Sequence, residues 1–320
     1  MVDQNPQRGG QDNGSGDVDA LFLKTYGGEV MTAFEESNVF LDKQMVRTIS
    51  SGKSAQFPVF GKKSARYHVP GTEITGSTGL QGERVIMIDD LLIADSFFAN
   101  IDEAKSHYDF RAPFSTEDGR VLSKTLDQNL ACVGLNAARS AATLTGGNGG
   151  SILTAATIGT DVAVLVDGAF DAAQAFDEKD VPENERYFFV KPAQYYLLLT
   201  SDKVLSKDYN GDGNGSFSKA KVHEVAGMTV QKTNHLPNGT VRTGNGSVNG
   251  TAKTEYNGTF TYTVFLAMQK MAIGTVKLLD LSVQSETTVR HQGTLVVSKY
   301  SLGSGILRPE CAIEGRSQAN

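Results

Sequence analysis

The sequence predicts an α+β protein organised around one dominant helix. Three observations lead there: a long amphipathic stretch from Ser115 to Ala141, a run of β-branched segments between 46 and 93, and helices alternating with short strands from about 152 to 275. In the first stretch Leu122, Leu126, Leu130, Val133 and Ala137 step by four, four, three and four residues, which puts them on one helical face. Ser115 and Thr116 are the expected N-caps, Ser115 with Asp118 has capping-box spacing, and Glu117 and Asp118 suit the positive end of the helix dipole. The glycines 146, 147, 149 and 150 end it. At ~1.5 Å per residue the rod is roughly 40 Å long, well beyond the common helix.

Taken in order, residues 1–19 are polar and glycine-rich and predict a disordered tail with no export signal. Residues 20–45 form an arm whose Leu21, Phe22, Val30, Met31 and Phe34 need a surface to cover them. Residues 46–93 form an extended hairpin. Ala55–Phe60 and Arg66–Val69 are extended in character, Glu83–Ile93 is one β-branched strand, and glycines 71, 76, 79 and 82 lie between. An isolated hairpin is marginal in water, so this one must rest on something, either its own domain or a neighbouring copy. After the long helix, 160–176 is a second helix with apolar residues at three-four spacing. Tyr187–Val190 is a buried strand, Pro192 opens a short helix, and Gly227–Lys232 is a strand. Residues 238–262 are a polar insertion with Asn-Gly turns. From Phe265 to Val297 the chain returns to strands that form a sheet beside the long helix.

The net charge of −6 and pI of about 5.5 argue against a protein that grips nucleic acid through its phosphates. Only Cys132 and Cys311 are present, which predicts no disulfide framework. No apolar run reaches the length of a membrane span. Asp208–Gly213 opens like a calcium loop, but the twelfth position is Lys219 where the ion needs a bidentate glutamate. Ile49–Ser54 has the GKS of a phosphate loop, but Arg47 replaces its first glycine. The five histidines share no ligand spacing and no nucleophile elbow is present, so no catalytic, cofactor or metal residue is expected. Asp89 and Asp90, at the hairpin base, are expected to pair with Arg47 or Lys53.

Four segments together carry a resemblance: Met45–Val59 (MVRTISSGKSAQFPV), His107–Arg111, Gly274–Leu281, and Lys299–Glu310 (KYSLGSGILRPE). They resemble the major capsid protein of T-seven-like short-tailed bacteriophages. The resemblance implies a Hong Kong 97-type capsid fold, with the arm at 20–45 and the extended loop at 46–93. A peripheral domain follows at 94–151 with spine helix 115–141, then an axial domain at 152–275 carrying the 238–262 insertion, and strands at 276–320 return to the peripheral domain. It implies a non-enzymatic shell subunit that assembles as hexamers and pentamers around double-stranded DNA, in the host cytoplasm and then in the virion. The partners it implies are other copies, a separate scaffolding protein, a portal protein at one vertex and room for a decoration protein, with no membrane. Hinges are expected near Gly52 and Gly61. Arg47, Lys53, Phe57, Arg66, Asp89, Asp90, Arg308 and Glu310 are the candidates for contacts between subunits. The other readings of the same features are an encapsulin-like cellular shell protein and a head-decoration or tail structural protein.

Overall fold

A computed structural model describes residues 28–35, 38–63, 65–74, 76, 79–99, 101, 111–201, 215–216, 221–237, 241–242, 247–248, 251–288 and 290–318. The tail 1–19, the start of the arm and the Asp208–Gly213 loop lie outside them. The chain divides into two units: residues 1–38, 91–124 and 279–301, and residues 39–90, 125–278 and 302–320.

Strands β1 (Met45–Thr48), β2 (Ser54–Phe60), β3 (Gln81–Met87) and β4 (Leu92–Ala99) precede the long helix α1 (Arg111–Ala138). Next come β5 (Ser151–Thr154), α2 (Val162–Glu178), β6 (Arg186–Val190) and α3 (Pro192–Leu198). The remaining principal strands are β7 (Glu224–Val225), β8 (Met228–Lys232), β9 (Thr263–Gln269), β10 (Ile273–Thr288), β11 (Gly293–Ile306) and β12 (Ala312–Arg316).

The apolar stripe of α1 is buried along its length, from Leu122 to Ala137. The helix starts four residues earlier and ends three residues sooner than the sequence predicts. Ser115 is therefore not a cap. It lies inside the helix, where its hydroxyl donates back to the Ala112 carbonyl at 2.8 Å and bonds the Glu29 carboxylate. Glu117 and Asp118 sit in the second turn, and Asp118 accepts from the Ser96 hydroxyl.

In the first unit the helical segment 28–35 crosses α1 at Gly119. A Cβ there would fall 2.5 Å from the Val30 carbonyl oxygen, so only glycine lets the two backbones approach this closely. Val30, Phe98 and Val296 form its core cluster. There β4 pairs antiparallel with β11, Phe97 facing Leu295 and Ile93 facing Lys299.

The second unit is built on a six-stranded mixed sheet, in the order β5-β12-β9-β6-β8-β7. Its central strands are apolar on both faces, as covered strands must be: every residue of β9 is buried, and Phe188 lies 4.7 Å from Phe265 between ring centroids. The sequence groups Phe265–Met268 with the later strands beside α1. The structure instead pairs them with β6 and β12, while β10 and β11 belong to a four-stranded sheet ordered β1-β10-β11-β4. Helix α2 is capped by Asp161, which accepts from the Ala163 N–H at 2.9 Å, and buries Leu165, Ala169, Ala172 and Phe176.

Candidate assembly surface

The hairpin of the second unit consists of β2 and β3, paired in strict register from Ser54 facing Met87 to Phe60 facing Gln81. Arg66–Val69 is not one of its strands. The predicted single strand Glu83–Ile93 is broken at 88–91, so β3 stays in the hairpin while β4 joins another sheet. Side chains alternate without exception across the ribbon. Ala55, Phe57, Val59, Gly82, Arg84 and Ile86 are buried or half-buried, and every residue between them is exposed.

The inner face rests on the hairpin's own chain. Ala55, Ile86 and Ile88 cluster with Val276 and Leu307. Gly82 lies over Leu144 so closely that a Cβ would fall 2.7 Å from a leucine methyl. Arg84 reaches the Thr143 hydroxyl at 3.3 Å, and Lys62 meets Asp180 at 2.6 Å in the open, where solvent screening leaves an ion pair little weight. The requirement for a support is thus met in part within one subunit.

The root of the hairpin is clamped. The Lys253 ammonium is buried and donates to the Asp89 carboxylate at 2.8 Å, the Ser304 carbonyl at 2.9 Å and the Met87 carbonyl at 3.1 Å. The Tyr256 hydroxyl donates to the other Asp89 oxygen at 2.5 Å and accepts the Ser304 N–H at 3.2 Å. Burial pushes the Asp89 carboxyl above its ordinary range even though Lys253 and Tyr256 oppose the shift. The Tyr256 phenol is held well above its usual value by burial and by the carboxylate beside it. Beneath lies a floor of glycine: a Cβ on Gly303 would sit 2.1 Å from the Met87 carbonyl oxygen, and one on Gly305 would sit 3.1 Å from Ile86. Two main-chain bonds close the root, Ile88 N–H to Lys53 O and Asp89 N–H to Leu302 O.

The outer face is different. Phe60, Val85 and Met87 are 65%, 50% and 48% exposed, and Tyr67, Val69, Ile74 and Leu80 stand in solvent in the loop between the strands. Of the predicted contact residues, four meet at the root. Arg47 donates to the Gln56 carbonyl at 2.7 Å with its guanidinium 5.9 Å from the Phe57 ring centroid, Phe57 packs on the inner face, and the Lys53 carbonyl accepts from Ile88. Asp89 is the fourth, and its ion-pair partner is Lys253 rather than the predicted Arg47 or Lys53. Arg66 lies exposed in the loop and Asp90 is exposed just past the root. Arg308 and Glu310 are half-buried elsewhere, around Cys311, whose thiol burial pushes to about 12. Sequence reasoning missed Lys253, Tyr256 and Leu144. The alternate glycines 303 and 305, on one face of a strand, were the available signal.

Comparison with known proteins then decides the family. The family model described as Gp10A-like major capsid protein matches residues 56–315, which take in most of the hairpin and the long helix. The chain belongs to that family. It is 32% identical to the major capsid protein of Escherichia phage T7 over 324 residues, covering 93% of this chain and 92% of that one. It is 30% identical to the major capsid protein of Enterobacteria phage T3 over 331 residues, covering 95% and 93%. Among solved structures it resembles the capsid of Cyanophage P-SCSP1u, with a TM-score of 0.78 and 39% identity over 98% of each chain. As a Gp10A-like major capsid protein it is a structural subunit and not an enzyme, so the Asp89–Lys253–Tyr256 cluster is a structural pairing rather than a catalytic constellation.

Proposed function

We propose that this chain tiles an icosahedral phage head of Hong Kong 97 type, as hexamers and pentamers that enclose double-stranded DNA. The observation that carries the reading is the two-faced ribbon: its inner row is seated on its own subunit, while its outer row of Phe60, Val85 and Met87 is left in water. An exposed face that sets Pro58, Phe60, Val85 and Met87 among Ser54, Gln56, Gln81 and Glu83, on a family of shell subunits, is best covered by the next copy. In this assignment residues 20–45 are the arm, 46–93 the extended loop, 94–151 with 276–320 the peripheral domain built on the long helix, and 152–275 the axial domain. Arg47, Lys53, Phe57, Arg66, Asp89, Asp90, Arg308 and Glu310 are the proposed contact residues, the first six in or beside the hairpin. Gly52, whose φ of +123° few other residues adopt, is the hinge residue that lets one chain fit both five-fold and six-fold rings. The net charge of −6 keeps the inner wall from trapping the genome. A separate scaffolding protein sets shell size in the host cytoplasm, a portal protein occupies one vertex, and the outer surface can take a decoration protein.

The test is charge reversal at the exposed loop. Arg66→Glu should leave a soluble, folded subunit that forms no shells in the presence of scaffold, read by sedimentation and negative-stain imaging. Normal shells from this variant, or a wild-type protein that stays monomeric at high concentration, would remove the reading.

A further inference from the structure

We infer that the polar insertion acts as the buttress of the hairpin, with Lys253 and Tyr256 as the positioning residues that set the direction in which the ribbon leaves its subunit. The inference rests on the shell-subunit reading and adds a role for a segment that composition alone marks as a loop.

The geometry is specific. The ribbon's inner face is seated on Val276, Leu307 and Leu144, and its root is fixed as well. Here the fixing groups come from three separated parts of the second unit: Met87 and Asp89 at the exit of β3, Ser304 on β11, and Lys253 with Tyr256 on the short 3-10 turn of the insertion. One buried ammonium ties the first two together, and the phenol beside it bonds both again. The ammonium is itself buried and lies within hydrogen-bond reach of four oxygens, on Asp89, Ser304, Met87 and Tyr256, with Asp89 at the part-exposed edge of the site. Gly303 and Gly305 let the ribbon lie flat enough for those bonds to form. The floor therefore sets the distance and the insertion sets the angle. A shell subunit whose ribbon must land on a neighbour gains from a fixed angle, because less freedom is lost on docking.

The test uses the full chain as dilute, unassembled subunit. Spin labels at Glu73→Cys near the tip and Asp171→Cys on α2 report the ribbon's direction, while Cys132 and Cys311 are buried and stay unlabelled. Tyr256→Phe and Lys253→Met should broaden the distance distribution at least about twofold. They should also lower hydrogen-exchange protection of the Ile88 and Asp89 amides at least about tenfold. Val166→Ala, a core change in α2, should leave the distance distribution unchanged and lower protection across the second unit alike, with no excess at Ile88 and Asp89. If Lys253→Met does not fold, Asp89→Asn with Lys253→Met removes both charges together and takes its place. Unchanged width and protection in the clamp variants, or equal loosening in Val166→Ala, would overturn the inference. Assembly with scaffold separates the two readings. Loosened variants should give misshapen or mis-sized particles. Normal particles from a demonstrably loosened ribbon would overturn the positioning role while leaving the shell reading intact. A wild-type chain that forms no shells would instead remove the shell reading.

Discussion

Gly303→Ala is the sharpest perturbation of the hairpin root. The added methyl would sit 2.1 Å from the Met87 carbonyl oxygen and 2.7 Å from the Ile88 Cα. Both are backbone atoms, so no rotamer change relieves the clash; β3 and β11 must separate by about 1 Å to reach an ordinary contact. That movement breaks the Asp89 N–H bond to Leu302 and pulls the Ser304 carbonyl away from the Lys253 ammonium. A neutral hydrogen bond contributes about 1 kcal/mol and one to a charged group about 1.5–3 kcal/mol, so the loss should be about 2.5–4 kcal/mol. Gly305→Ala makes a useful contrast. Its methyl would meet only the Ile86 side chain at 3.1 Å, which can turn aside, and should cost about 1 kcal/mol. Both are measured by urea unfolding of the dilute, unassembled subunit. A Gly303→Ala loss within about 1 kcal/mol of that for Gly305→Ala would refute the backbone-contact argument.

Neighbouring residues of β3 should give opposite results. Val85→Glu should fold normally and fail to assemble, whereas Ile86→Glu, at a position only 3% exposed, should fail to fold, both read by circular dichroism and sedimentation. Asp127, buried within α1, accepts the Val39 N–H at 2.9 Å, the Phe40 N–H at 3.2 Å and His235 Nδ1 at 2.8 Å. Asp127→Ala strands all three and should cost about 3–5 kcal/mol, with new proteolytic cleavage near Val39, while Asp127→Asn should lose less than half as much. Glu314 is buried, which raises its carboxyl, but the bonds from Arg139, Arg316 and Thr263 outweigh burial and hold it below the ordinary value of 4.5. Its folded form therefore binds its proton less readily than the unfolded chain. The stability it contributes is complete above pH 4.5 and is lost as pH falls through its lowered folded value. The gap in melting temperature between wild type and Glu314→Gln should narrow below pH 4.5 and hold constant above it.

The long helix was legible because its stripe is local: each apolar residue is three or four positions from the next, and burial needs no distant information. Its start was not, because Ser115 finds partners both in the preceding turn and on Glu29, 86 residues away, and so sits within the helix. The hairpin's alternation was partly visible, yet Glu83–Ile93 reads as one strand because aliphatic residues flank the strand-poor pair Asp89 and Asp90 on both sides. What breaks it is Asp89 turning to a lysine 164 residues further along. Pairings across such separations leave no periodic trace, so the clamp could not be read from the chain. The family segments were readable as a pattern, and the structure gives one of them a cause: Gly303 and Gly305 are where another backbone and another side chain come to rest.

The strict alternation of the ribbon carries a parity rule for its length. Removing one residue from the middle of 54–60 or of 81–87 would turn that strand over beyond the cut, drowning Phe60 or Met87 in the body and thrusting Val59 or Ile86 into water. Residues 65–74 are exposed and belong to no strand, so a change of length there turns no strand over.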